Sequence, residues 1–331
     1  MFPAWTILIG FWLGAVAGSF LNVVIYRLPR GISLSNPPHS FCPKCEHRLG
    51  VKALIPLASW LFARGRCVYC KAPVWSRYFW VELVNASLWA ILWKIYFVDA
   101  PGYDWITPVA YLLTTAALVA IVWIDGELFI IPDEICAFLL AVGLVYGAAT
   151  GRFGEAVLGA LTGWGVLFGI AFLGRVAFKK DAMGHGDIKM MRGIGALIGA
   201  KLVIFNLMIA VVLGLVGSLA LMAFHAIRQN KPIGEAEEDE TPYEPESIRD
   251  LLVLMISYLL LFDVIALFWK GLYPRLGFEA EAENIEEDDW RPTATTLPFG
   301  PYLAAGALAC LLFQSSILQF WSNYMAQFSG G

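Results

Sequence analysis

Two groups of residues could do chemistry: four cysteines in a pair of C-x-x-C knuckles, Phe41-Cys42-Pro43-Lys44-Cys45 and Arg66-Cys67-Val68-Tyr69-Cys70, and two distant aspartates, Asp125 and Asp187. Two thiolates three positions apart can share one tetrahedral ion, and a second such pair fills the shell without leaving a position for water. The expectation is a structural zinc held by Cys42, Cys45, Cys67 and Cys70, not a hydrolytic centre. The plainer alternative is two disulfides or four idle thiols.

Asp125 ends the apolar run Leu118-Val119-Ala120-Ile121-Val122-Trp123-Ile124, and Asp187 sits in Gly184-His185-Gly186-Asp187-Ile188-Lys189, where the chain re-enters apolar sequence. An acid in a membrane-crossing segment is costly, so each needs a partner or a task. Two carboxylates brought together cannot comfortably both ionise, and one keeps a proton the other lacks. The ionised member can draw a proton from a water while the protonated member donates to a peptide carbonyl, which gives hydrolysis without a covalent intermediate. Such a pair titrates as a unit, so neither role falls to one residue. Gly184 and Gly186 would let backbone approach closely and adopt dihedrals other residues resist; with Lys189 they form the expected support of the active-site loop. Taken singly, each Asp also reads as a helix-end acid facing water.

These residues need a membrane to hold them. Of 331 residues, 59% are apolar and 15% charged, too few charges for an ordinary soluble domain. Apolar stretches near 5–26, 79–98, 105–124, 130–149, 153–177, 193–226, 251–270 and 298–320 predict an all-α polytopic membrane protein of about eight transmembrane helices. The stretch 193–226 is either one tilted helix or a re-entrant turn followed by a helix. The expected organisation is a first transmembrane helix at 1–27, a four-cysteine zinc domain at 28–78, a transmembrane catalytic core at 79–226, an insertion with acidic loops and an extra helix at 227–297, and a last helix and tail at 298–331. Basic residues follow the first span rather than precede it, the reverse of a signal peptide, so that span is expected to stay in the mature protein.

The net charge of -4 hides an asymmetry: residues 234–248 and 279–289 hold 14 of the 27 acids and no base, which leaves 13 acids against 23 bases elsewhere. These acidic stretches read as solvated loops. Arg27, Arg30, Lys44, Arg48, Lys52, Arg64, Arg66, Lys71 and Arg77 face a single acid, Glu46, in the loop after the first span. The positive-inside rule makes that loop cytoplasmic and the N-terminus external. Lys179, Lys180, Lys189 and Arg192 make 178–192 cytoplasmic as well, and both aspartates then lie at one depth. A reducing compartment suits thiols that bind metal.

Other polar residues have local readings. Asp133, after Pro132, reads as a helix-capping acid. Glu82, a turn or so beyond Arg77, reads as its neutralising partner. Lys180 and Asp181 read as loop charges, Asp263 as an intramembrane acid with a local role, and Cys136 and Cys310 as small buried hydrophobes.

The motifs Gly18-Ser19-Phe20-Leu21-Asn22-Val23-Val24-Ile25-Tyr26-Arg27-Leu28-Pro29, the two knuckles, Arg77-Tyr78 with Val81-Glu82, Asp125 followed by Ile131-Pro132-Asp133, Gly184 to Lys189, and Leu297-Pro298-Phe299-Gly300-Pro301 occur in an order that resembles the bacterial type IV prepilin peptidases. Phe79-Trp80 departs from the family's usual Pro-Leu, and 228–296 looks like an insertion. The resemblance implies a multi-pass enzyme of the bacterial inner membrane that removes the short basic leader of prepilins or pseudopilins after a Gly. It also implies methylation of the new N-terminus from S-adenosylmethionine. The family's catalytic pair falls on Asp125 and Asp187, and its cytoplasmic cysteine domain on Cys42, Cys45, Cys67 and Cys70. The expected partners are these substrates and the lipid bilayer, with no nucleic acid; the basic leader would be held by anionic lipid or acidic groups rather than by the basic loop. Two rival classes share part of the pattern: a non-enzymatic zinc-binding membrane scaffold, and an ion or proton transporter, for which paired acids also serve.

Overall fold

The computed structural model describes residues 2–99, 104–179, 183–229, 248–269 and 298–329. Among them the fold is helical, with two isolated β-bridges and no longer strand. Lys180, Asp181 and nearly all of both acidic stretches lie outside the described residues. The chain divides into two compact units, one over Met1–Pro132 and the other beginning at Asp133.

In the first unit, α1 (Ile7–Arg27) leads through a loop holding the short α2 (Ala58–Phe62) to α3 (Arg77–Trp93) and α4 (Ile106–Leu128). Gly10, Gly14 and Gly18 recur every four residues and make one face of α1 nearly side-chain-free. A Cβ at Gly14 would lie 2.7 Å from the Trp89 Cβ and 2.8 Å from the Ala86 Cα, and one at Gly18 would lie 2.7 Å from the Glu82 Cα, so α1 and α3 pack backbone to backbone. The fully buried Asn85 then reaches across to donate to the Gly14 carbonyl at 2.7 Å.

The second unit contains α5 (Asp133–Ala149), α6 (Phe153–Phe178), α7 (His185–Gln229), α8 (Ile248–Leu259), α9 (Phe262–Phe268), α10 (Gly300–Leu312) and α11 (Gln314–Ser329). α7 breaks at Gly199, whose φ of 78° and ψ of 163° no helix contains and glycine tolerates. In a straight helix Met191 and Asn206 would stand about 22 Å apart. Here the Asn206 amide meets the Met191 sulfur at 3.3 Å, so the second segment turns back along the first. Of the two expectations for 193–226, the re-entrant one matches this reversal. The first segment is the core of the unit: Ile188, Met190, Met191, Ile194 and Ala196 are all but fully buried. Small residues admit it, since side chains at Gly159 or Gly163 would collide with the backbone of Gly195 or Met191.

Among the described residues, five helices are long and apolar enough to cross a membrane, or up to seven if each of two bent pairs is one span. α5, with 17 residues, is short for a crossing, and the expected span at 251–270 is the pair α8–α9, bent by 73°. The eighth crossing is thus not among those counted. Apolar side chains such as Leu8, Trp12, Val16 and Phe20 remain exposed along α1, as a lipid-facing surface requires.

Replacing Gly14 by Leu should destabilise the protein by about 1–3 kcal/mol through overpacking. Gly169→Ala, at a site with no neighbouring atom within 4 Å, should be neutral or slightly stabilising. Thermal unfolding in detergent checks both.

Candidate active-site and metal-binding residues

The two knuckles fold alike. In each, the amide of the first cysteine donates to a carbonyl five residues on, Cys42 to His47 at 3.1 Å and Cys67 to Ala72 at 2.8 Å, while Glu46 and Lys71 donate back to the cysteine carbonyls at 2.8 and 3.0 Å. Glu46 and Lys71 occupy the left-handed region, φ 54° and 59°, which turns the chain just after the second thiol. The four sulfurs lie within 4.8 Å of one another and could hold a metal ion. A tetrahedral ion with bonds of about 2.3 Å to sulfur separates its ligands by about 3.8 Å, and Cys42 and Cys70 stand at 3.9 Å.

The thiols ionise unequally. Burial pushes Cys67 up, but backbone hydrogen bonds from Cys70 and Tyr69, joined by the neighbouring thiols, outweigh it and bring it to about 7. At Cys45 the hydrogen bond from the His47 backbone lowers the thiol, yet desolvation and the Cys70 and Cys42 thiols prevail and raise it to about 11. A dication at the centre would favour the thiolate at all four. Between residues 31 and 76 only Cys42 and Cys67 are buried, so this loop has almost no apolar core of its own.

What holds the loop to the helices is hydrogen bonding. Arg27, 4% exposed, donates to the carbonyls of Ser33, Leu34, Pro37 and His39 at 2.8 to 3.3 Å. In the sequence Arg27 reads as a topology signal and as part of the Gly18–Pro29 motif, not as the anchor of the loop. Glu82 accepts the Leu57 amide at 2.6 Å, and Arg77 pairs instead with Glu127 at 2.5 Å. The expected Arg77–Glu82 neutralisation is therefore wrong; on one helix those two point to different neighbours. Arg77 and Glu127 also line a cavity of about 410 Å³ with Trp75, Ser76, Trp80 and Trp123.

Asp125 lies in the last turn of α4 and is 5% exposed; its carbonyl accepts the amide of Phe129, a left-handed residue that stops the helix. Asp187, in the first turn of α7, is 8% exposed and belongs to the second unit. A Cβ at Gly184 would come within 3.1 Å of an Asp187 carboxylate oxygen, so glycine leaves that carboxylate room. Neither Gly184 nor Gly186 has positive φ, which corrects the expectation of unusual dihedrals: Gly186 lies within the helix.

Lys189, expected as a support of the active-site loop, is tied to the start of α5. Its ammonium donates to both carboxylate oxygens of Asp133, at 2.8 and 2.9 Å, and lies 4.7 Å from the Tyr258 ring centroid. Asp133, read as a cap, is thus an ion-pair partner at the start of α5. Arg192 donates to both oxygens of Asp263 and to the Tyr258 carbonyl, with both charged residues at most 5% exposed. Sequence reasoning missed Arg192 as a partner; a lone acid and a lone base at interior positions was the available signal. Cys136 and Cys310 are buried, against the carbonyls of Gly186 and Leu202 respectively.

A family model described as the Bacterial Peptidase A24 N-terminal domain matches residues 12–96, and one described as the Type IV leader peptidase family matches 112–219. The prepilin leader peptidase/N-methyltransferase of Aeromonas hydrophila is 34% identical over 248 residues, covering 67% of this chain and 83% of that protein. Its namesake in Myxococcus xanthus (strain DK1622) is 30% identical over 334 residues, covering 97% and 94%, and that of Neisseria gonorrhoeae is 31% identical over 235 residues, covering 63% and 80%. No solved structure matches. With cysteine knuckles, buried helix-end aspartates and relatives matched over most of their length, the chain belongs to the type IV leader peptidase family.

Proposed function

We propose that this protein is a membrane-embedded aspartic endopeptidase that cleaves the basic leader of type IV prepilins or pseudopilins after a glycine, with Asp125 and Asp187 as the catalytic pair. The observation that carries the reading is that both aspartates, each at a helix end and each less than a tenth exposed, fall inside the 112–219 stretch matched to the leader peptidase family. In the proposed reaction the two carboxylates share one proton. The ionised one takes a proton from water as its oxygen attacks the scissile carbonyl, and the protonated one donates to the carbonyl oxygen. Collapse of the tetrahedral species releases the leader's carboxylate and passes a proton to the new amino terminus. The apolar helix following the leader would lie in the bilayer, which brings the scissile bond to the depth of the membrane-edge acids. The basic loop sets the orientation, cytoplasmic for the four-cysteine domain and external for the N-terminus, in the bacterial inner membrane.

The same reading gives the four cysteines zinc. Sulfur spacing, the preference of thiolates for that ion, and a loop without its own core support it. Cys42, Cys45, Cys67 and Cys70 would supply all the ligands of such an ion, whose role would be in folding alone. Methylation of the exposed N-terminus from S-adenosylmethionine rests on the relatives' names.

Asp125→Asn and Asp187→Asn should each lower prepilin cleavage in detergent by at least about 10²-fold, with membrane insertion unchanged; either variant working at near the parent rate removes the assignment. Purified reduced protein should carry about one zinc per chain, lost in Cys42→Ser/Cys45→Ser. Chelation should open the 42–70 loop to protease while the helical signal persists. Mass spectrometry of processed substrate, with and without S-adenosylmethionine, should reveal one added methyl group only when the donor is present.

A further inference from the structure

The helix pair α8–α9 lies outside both stretches matched to the family models, yet it packs into the heart of the second unit. Val264 of α9 packs against the cluster of Leu140 from α5, Ala160 from α6 and Ala196 from α7. Two residues of the pair, Tyr258 and Asp263, meet three residues of α7. The Tyr258 ring stands edge-on to His185, with centroids 6.1 Å apart, and lies 4.7 Å from the Lys189 ammonium. Its carbonyl accepts from Arg192, whose guanidinium is also held by both Asp263 oxygens, one of them at 3.2 Å.

Positions 185, 189 and 192 form one stripe along the first two turns of α7. At about 100° per residue, Asp187 lies roughly 200° round the helix from His185, on the side away from that stripe. A second anchor holds the same turns from α5, where both oxygens of Asp133 accept from Lys189. A helix gripped on one face by a buried ion pair and a cation–π contact cannot roll without breaking both, because either charge alone would be stranded in the interior.

We propose that α8–α9 is a clamp that fixes the rotation of the first turns of α7 and so aims the Asp187 carboxylate, with Tyr258 and Asp263 as positioning residues for peptide cleavage. This rests on the reading of Asp187 as catalytic.

Cys136 provides a built-in reporter, since its sulfur lies 3.9 Å from the Gly186 carbonyl beneath the first turn, whereas Cys310 lies 3.7 Å from the Leu202 carbonyl beyond the break. The experiment compares full-length Asp263→Ala, Asp263→Glu, Tyr258→Leu and Asp187→Asn in detergent with a type IV prepilin. It reads kcat and KM for leader cleavage, and iodoacetamide labelling of Cys136 and Cys310 by mass spectrometry. Asp263→Ala and Tyr258→Leu should lower kcat by roughly 10- to 100-fold with KM within about twofold. Both should expose Cys136 and leave Cys310 protected, and Asp263→Glu should recover activity. Tyr258→Leu, which keeps the ion pair, decides the matter if Asp263→Ala does not fold. Cleavage lost in Asp187→Asn but intact in Asp263→Ala and Tyr258→Leu overturns the clamp alone. Simultaneous labelling of Cys136 and Cys310 overturns it too, as the loss is then general. Cleavage surviving Asp187→Asn overturns the catalytic reading and the clamp with it.

Discussion

A charge removed from water inside a lipid-facing helical protein must be matched locally, because neither solvent nor lipid will compensate it. The described residues obey this with some consistency. Arg27 is surrounded by backbone carbonyls, Arg77 meets Glu127, Lys189 meets Asp133 and Arg192 meets Asp263. Each match joins two segments: the end of α1 to the loop that follows it, α3 to α4, α5 to α7, and α7 to α9. Such pairs add little net stability against an apolar replacement, while losing one partner costs about 3–5 kcal/mol. They are better understood as fixing which arrangement of apolar helices is adopted, since greasy surfaces alone would pack in many ways.

The complementary device is the removal of side chains. Hydrophobic burial does not drive one helix onto another within lipid, so association rests on close contact. Gly10, Gly14 and Gly18 supply it for α1 against α3, and Gly159, Gly163 and Gly195 for α6 against the first segment of α7. The second case matters for chemistry. The first segment of α7, which carries Asp187 in its first turn, meets the α6 glycines through the backbone of Met191 and Gly195, and its charged stripe pairs with Asp133 and Asp263. On the proposed catalytic reading of Asp187, a carboxylate that shares a proton needs both its depth and its rotation defined.

Legibility in the sequence followed the range of the interaction. Apolar length exposed the main helices, and C-x-x-C spacing exposed the sulfur cluster, because both signals are local and carried by composition. The break of α7 at Gly199 was half legible, as a stretch too long for one crossing and too short for two. The partners of Arg77, Asp133, Lys189 and Asp263 were not legible. Glu82 lies nearer in sequence to Arg77 than Glu127 does, but helix geometry sends Glu82 toward Leu57. Charge pairing across 50 to 71 positions leaves no periodic trace in a single chain. The glycine ladder of α1 was legible in principle, at a spacing of four, as a face that admits another backbone.

The four-cysteine loop poses the same constraint in water. Large apolar side chains such as Val51, Phe62 and Trp75 are exposed, and its two buried residues are thiols. Folding such a segment costs about 1–2 kcal/mol of backbone entropy per residue, and exposed apolar groups cannot offset that. A closed tetrahedral ion would contribute toward offsetting it, and so does attachment at two points, through Arg27 at the entry and Glu82 near the middle. The ion would set the internal shape, and the two buried charges on α1 and α3 would set where that shape sits on the helices. Metal loss should then scramble the loop without loosening α1 from α3, since their contact runs through Gly14 and Asn85, well away from the sulfurs in sequence.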